Sequence, residues 1–134
     1  MRDMRTLARW TLAVVWLYQG LVPKLLRPDT GEVAIFQSTG LFRGFEPAVV
    51  TALGVVQVLV GLLLVVFPKS RAVLWVNVAA LGILGAAMLA FRPDVFLLPF
   101  NPAGLLASML GLSAIGLLET GMLPRTGPCE TRNT

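Results

Sequence analysis

Apolar residues run almost unbroken through four stretches of this chain, and polar residues fall where such stretches would have to stop. The stretches are Thr6 to Leu26, Pro47 to Phe67, Arg71 to Phe91 and Pro102 to Met122. Each has about the 20 helical residues needed to cross roughly 30 Å of hydrocarbon. Prolines punctuate them. Pro47 and Pro102 stand at first-turn positions, where the missing N–H leaves no bond unmade, and Pro68 and Pro93 follow helix ends. Ser70 and Asn101 are placed to cap the third and fourth helices. The pattern predicts an all-α fold, a four-helix transmembrane bundle forming one domain over residues 1–123, followed by a polar, disordered cytoplasmic tail over 124–134.

The longest connection, Arg27 to Glu46, is too long for a tight helical hairpin and too apolar for a solvated linker. Asp29 with Glu32 three positions later has the form of a capping box. Val33, Ala34, Ile35 and Phe36 supply apolar surface, and Gly40 can close the turn. A short interfacial helix is therefore expected between helices one and two. Arg2 and Arg5 ahead of an apolar run have the look of a secretory leader, but no small-residue cleavage site follows, and a retained first helix is expected. Lys and Arg set the orientation. Arg2, Arg5, Arg9, Lys69, Arg71, Arg125 and Arg132 lie on the side of the termini, against Lys24, Arg27, Arg43 and Arg92 opposite, so both termini are expected in the cytoplasm.

Composition narrows the function classes. Of 134 residues 56% are apolar and 13% charged, about half the roughly 25% charge of soluble domains, and the mean hydropathy is +0.79. The net charge of +4 comes without a block of five or more basic residues or a basic face interleaved with aromatics. Anionic lipid headgroups, not nucleic acid, are the partners that this balance fits. The single cysteine, Cys129, lies in the polar tail and histidine is absent. That excludes a disulfide framework, a thiolate metal cage and the side chain best suited to acid–base work near neutrality. No metal site and no catalytic constellation is expected.

Polar residues at membrane depth carry the remaining information. With each helix centre at the bilayer midplane, Gln57 lies at the middle of helix two and Ser113 one residue past the middle of helix four. Gln19 falls about 4.5 Å to the outer side and Asn77 about 6 Å to the inner side. Amides facing hydrocarbon are unfavourable, so these groups should turn inward and hydrogen-bond across helices, each contact contributing about 0.6 to 2 kcal/mol. Two readings stand side by side: interhelical glue, or a site for a quinone headgroup or other small amphiphile. Pro23 leaves the carbonyl of Gln19 open to a neighbour. Lys24, about 12 Å from the midplane, and Glu46 are the outer-end charges, and a contact between them would tie helices one and two together. Small residues mark where backbones can approach: Gly54 and Gly61 on helix two, Gly82, Ala86 and Ala90 on helix three, Ala107 and Gly111 on helix four. Such ridges serve a homo-oligomer equally well.

Trp16-Leu17-Tyr18-Gln19-Gly20-Leu21-Val22-Pro23-Lys24-Leu25-Leu26 resembles the first-helix signature of the DoxX-like family of small bacterial membrane proteins. Gly54-Val55-Val56-Gln57-Val58-Leu59-Val60-Gly61 resembles the family's second-helix pattern, and Phe100-Asn101-Pro102 the start of its last helix. Gln57 stands where family members often carry a carboxylate, which speaks against a proton-linked role there. The resemblance implies a four-helix bundle in the bacterial inner membrane, and for some relatives a place as membrane subunit of an oxidoreductase assembly. The leading expectation is thus a non-catalytic membrane subunit or anchor that docks a partner oxidoreductase. The alternative is binding or transport of a quinone, lipid or other amphiphile through the polar cluster.

Overall fold

The computed structural model describes residues 2–27, 31–97 and 102–122. They form five α-helices: α1 (Arg2–Gly20), α2 (Glu32–Thr39), α3 (Glu46–Val66), α4 (Arg71–Phe91) and α5 (Pro102–Met122). A π-helical turn, Leu21–Leu26, extends α1, and a 3-10 turn, Pro93–Leu97, follows α4. The helices α4 and α5 span the residues that their prolines and charges predict, and α3 is displaced by one residue at each end. Ser70 caps α4, its Oγ accepting from the Val73 N–H at 3.4 Å. The short helix expected after Arg27 is α2, bounded by Gly31 and Gly40 at φ of 93° and 67°, a left-handed backbone that glycine adopts freely. Asp29, Asn101 and the tail from residue 123 onward lie outside the described residues.

The first helix departs from expectation. It starts at Arg2, not Thr6, because its first turns have partners: Arg5 Nη2 donates to the Pro68 carbonyl at 3.1 Å, and Arg9 donates to the carbonyls of Phe67 at 3.0 Å and Ser70 at 2.6 Å. These bonds tie the start of α1 to the turn between α3 and α4. At its other end Pro23 cannot continue the ordinary ladder, and the chain widens into the π turn, with the Arg27 N–H bonded to the Val22 carbonyl at 3.0 Å.

Among the described residues three helices, α3, α4 and Pro102–Glu119 of α5, are long and apolar enough to cross a membrane. Helix α1 runs antiparallel along α3, and contacts α5, which in turn packs on α4. Leu12, Trp16, Leu64, Leu74, Leu81 and Met109 form the centre of the core. The burial pattern is inverted relative to a soluble domain. Arg9, Lys24, Glu46, Gln57, Asn77 and Ser113 are buried, whereas Leu59, Val66, Trp75, Val76, Ile83 and Leu89 are at least half exposed. Contiguous apolar surface on this scale is unfavourable in water and ordinary in lipid.

The close approach of α1 and α3 depends on glycine. A Cβ on Gly20 would stand 2.7 Å from the Gly54 carbonyl oxygen, and one on Gly54 would stand 2.8 Å from Lys24 Cβ. At Gly61 a Cβ would likewise meet the Ala13 carbonyl at 3.1 Å. The ridges expected on the last two helices do not act this way. A Cβ added at Gly82 or Gly111 would have no neighbour within 4 Å, and Ala86, Ala90 and Ala107 are exposed. Spacing identifies small residues, but does not say which face a helix turns to its neighbour.

Candidate functional site

Depth in the helices and packing together sort the polar residues into two groups. In the first, Trp16 Nε1 on α1 donates to Asn77 Oδ1 on α4 at 2.5 Å, and Asn77 Nδ2 donates to Ser113 Oγ on α5 at 2.6 Å. The Ser113 hydroxyl donates its own proton to the Met109 carbonyl one turn back, also at 2.6 Å. Asn77 and Ser113 are wholly buried and Trp16 nearly so. Asn77 thus has both ends of its amide engaged, and the chain joins three helices. Trp16 was not singled out by the polar pattern. Its signal was there, since an indole N–H in mid-helix requires an acceptor when buried.

The second group lines a cavity of about 460 Å3 between the end of α1, the underside of α2 and the facing sides of α3, α4 and α5. Its polar wall is Gln19, Lys24, Glu32 and Gln57; Leu53, Phe36, Leu84, Met88 and Leu105 supply apolar surface, and Trp16 belongs both to this lining and to the hydrogen-bonded chain. Volumes of about 300–1,000 Å3 with a mainly apolar lining and a few convergent polar groups are typical of small-molecule sites. Gln57 is 6% exposed, and its Oε1 has no hydrogen-bond partner. An amide oxygen buried without a partner is costly, and Gln57 holds one in a side chain that lines the cavity. The amides of Gln19 and Gln57 therefore do not join Asn77 in one cluster.

The outer-end charges are arranged differently from expectation. Lys24 does not pair with Glu46; its Nζ binds Glu32 Oε1 at 2.9 Å and also donates to the Gln19 carbonyl at 3.4 Å, the acceptor that Pro23 leaves open. Glu46 instead accepts the Gly44 N–H at 2.9 Å. The reason is the path of the chain. The first turn of α2 folds back over the end of α1 and brings Glu32 to the lysine, while Glu46 sits at the start of α3, where the backbone N–H groups and helix dipole favour a carboxylate.

Helix α2 is held over the cavity at both ends. Glu32 anchors its first turn, and near its C-terminus Ser38 Oγ accepts from Arg92 Nη1 at 2.7 Å. Arg92 is itself oriented by a two-point contact with Asp94, Nε to Oδ1 at 2.8 Å and Nη2 to Oδ2 at 2.7 Å. That hydrogen bonding holds the Asp94 carboxyl below its usual range and raises the Arg92 guanidinium. Phe36 of α2 also meets Phe42 edge to face at a centroid distance of 6.1 Å, packing the helix against the following loop.

An apolar exterior, a polar chain through the core and an amphiphilic chamber near one end define a small helical membrane protein. Residues 13–114 match the model of the DoxX-like family, and the chain belongs to that family. No curated protein and no solved structure matches it.

Proposed function

We propose that this protein binds a small amphiphile drawn from the membrane in the cavity beneath α2. The observation that carries the reading is Gln57, whose buried Oε1 has no partner and whose side chain lines a mainly apolar cavity. In this reading α1 with its π turn makes a fourth crossing beside the three apolar helices, both termini lie in the cytoplasm as the Lys and Arg distribution favours, and α2 lies at the outer face of a bacterial inner membrane. Arg5 and Arg9 then sit at the cytoplasmic end, where they tie α1 to the turn between α3 and α4.

Mass spectrometry of the organic extract from protein captured in native nanodiscs tests it. The wild type is expected to carry an amphiphile enriched over bulk phospholipid, and Gln57→Leu to lose that enrichment while remaining folded. Bulk phospholipid alone in both would overturn the reading. A second role, as a membrane subunit that docks an oxidoreductase, draws on Leu41, Phe42 and Phe45, exposed together beside α2. A quinol in the cavity would join the two roles, as its headgroup is uncharged and bears hydroxyl donors and its tail is apolar.

A further inference from the structure

The two polar features of the cavity differ in what they still lack. Lys24 is the cation on the wall, and it is neutralised: Glu32 lies 2.9 Å from its Nζ, the two side chains are 8% and 25% exposed, and the Gln19 carbonyl takes a further contact. An anionic headgroup entering here would have to compete with Glu32 for the buried lysine and leave that carboxylate without its counter-ion. A cationic headgroup would approach a carboxylate already engaged and meet the lysine beside it. Neither charge finds a vacant partner.

Gln57 is different. Its amide is uncharged, lines the same cavity from α3, and has a buried oxygen without a partner. A group able both to donate and to accept satisfies this amide whichever way its oxygen and nitrogen are turned, and a hydroxyl is the smallest such group. The tail of such a molecule would lie against Leu53, Leu84, Met88 and Leu105.

Resting on the binding reading above, we propose that the cavity selects an uncharged, hydroxyl-bearing amphiphile, with Gln57 as the headgroup contact and the Lys24–Glu32 pair excluding charged headgroups. The ion pair acts by being complete, and the unpaired amide by being the group left to satisfy.

The test uses the full chain in nanodiscs with Trp10→Phe and Trp75→Phe, two tryptophans that are more than half exposed, leaving Trp16 on the cavity wall as the remaining indole. Trp16 fluorescence is titrated with 1-decanol, decanoate, decylamine and decane. Decanol should bind about ten-fold more tightly than either charged probe, and Gln57→Leu should weaken decanol about ten-fold while leaving decane unchanged. Gln57→Met, closer in shape, gives the same readout should the leucine variant misfold. Glu32→Gln, which frees Lys24, should shift the preference toward decanoate. Decanoate or decylamine binding the wild type as tightly as decanol, or decanol indifferent to both Gln57 substitutions, overturns the selectivity with the binding reading intact. A saturable response to none of the four probes sinks both.

Discussion

A Gly20→Val chain should lose about 3 kcal/mol of stability or fail to assemble, the largest effect expected of any single substitution outside the cavity. Gly20 has φ −78° and ψ −46°, helical values that any residue can take, so backbone strain plays no part. The loss comes from contact. The first carbon of the new side chain would lie 2.7 Å from the Gly54 carbonyl oxygen and 3.0 Å from the Val58 nitrogen, both backbone atoms of α3 that cannot swing aside. Helix α1 must then move away from α3, and the arginine contacts at one end and the cavity wall at the other move with it. Gly82→Ala is the matched control, since a methyl there meets nothing within 4 Å and alanine is the better helix former. Reversible unfolding in mixed detergent micelles, followed by circular dichroism, gives the comparison. Equal stability of the two variants would show that α1 does not pack on α3 through these glycines.

Asn77→Leu should cost about 2 kcal/mol, because it removes two interhelical bonds and leaves the buried indole N–H of Trp16 without an acceptor. The hydroxyl of Ser113 suffers less, since it keeps the Met109 carbonyl. Two further variants separate these terms. Adding Trp16→Phe to Asn77→Leu deletes the stranded donor and should restore part of the loss. Ser113→Ala and Asn77→Leu should combine to less than their sum, since they share one hydrogen bond. Strict additivity in both pairs, read from the same unfolding transitions, would mean that Trp16, Asn77 and Ser113 do not act as one connected chain.

Helix limits were the most readable feature of the sequence. Prolines, charges and Ser70 mark where apolar runs must end, and α4 and α5 begin and end at the residues so marked. The start of α1 was less readable, because the bonds from Arg5 and Arg9 to the turn before α4 are made between residues nearly 60 positions or more apart. Of the four polar residues placed at mid-helix, Gln57, Asn77 and Ser113 are buried and Gln19 is half-buried. Rotation about the helix axis was not legible. A membrane helix is apolar on almost every side, so its periodicity barely marks which face meets a neighbour, and this hid the separation of Gln57 from Asn77 and the open faces of Gly82 and Gly111. The pairing of Lys24 with Glu32 depends on how the chain turns into α2, just after the left-handed Gly31. Nothing in spacing alone distinguishes Glu32 from Glu46 as the partner of that lysine.

Occupancy of the chamber under α2 by a discrete molecule is most directly tested by photocrosslinking in whole membranes. A benzophenone side chain replaces Phe36, on the cavity wall, or Trp75, exposed on α4. Adducts at position 36 should carry one non-bulk amphiphile, and those at position 75 the ordinary phospholipid mixture. The same phospholipid mixture at both positions would contradict the account.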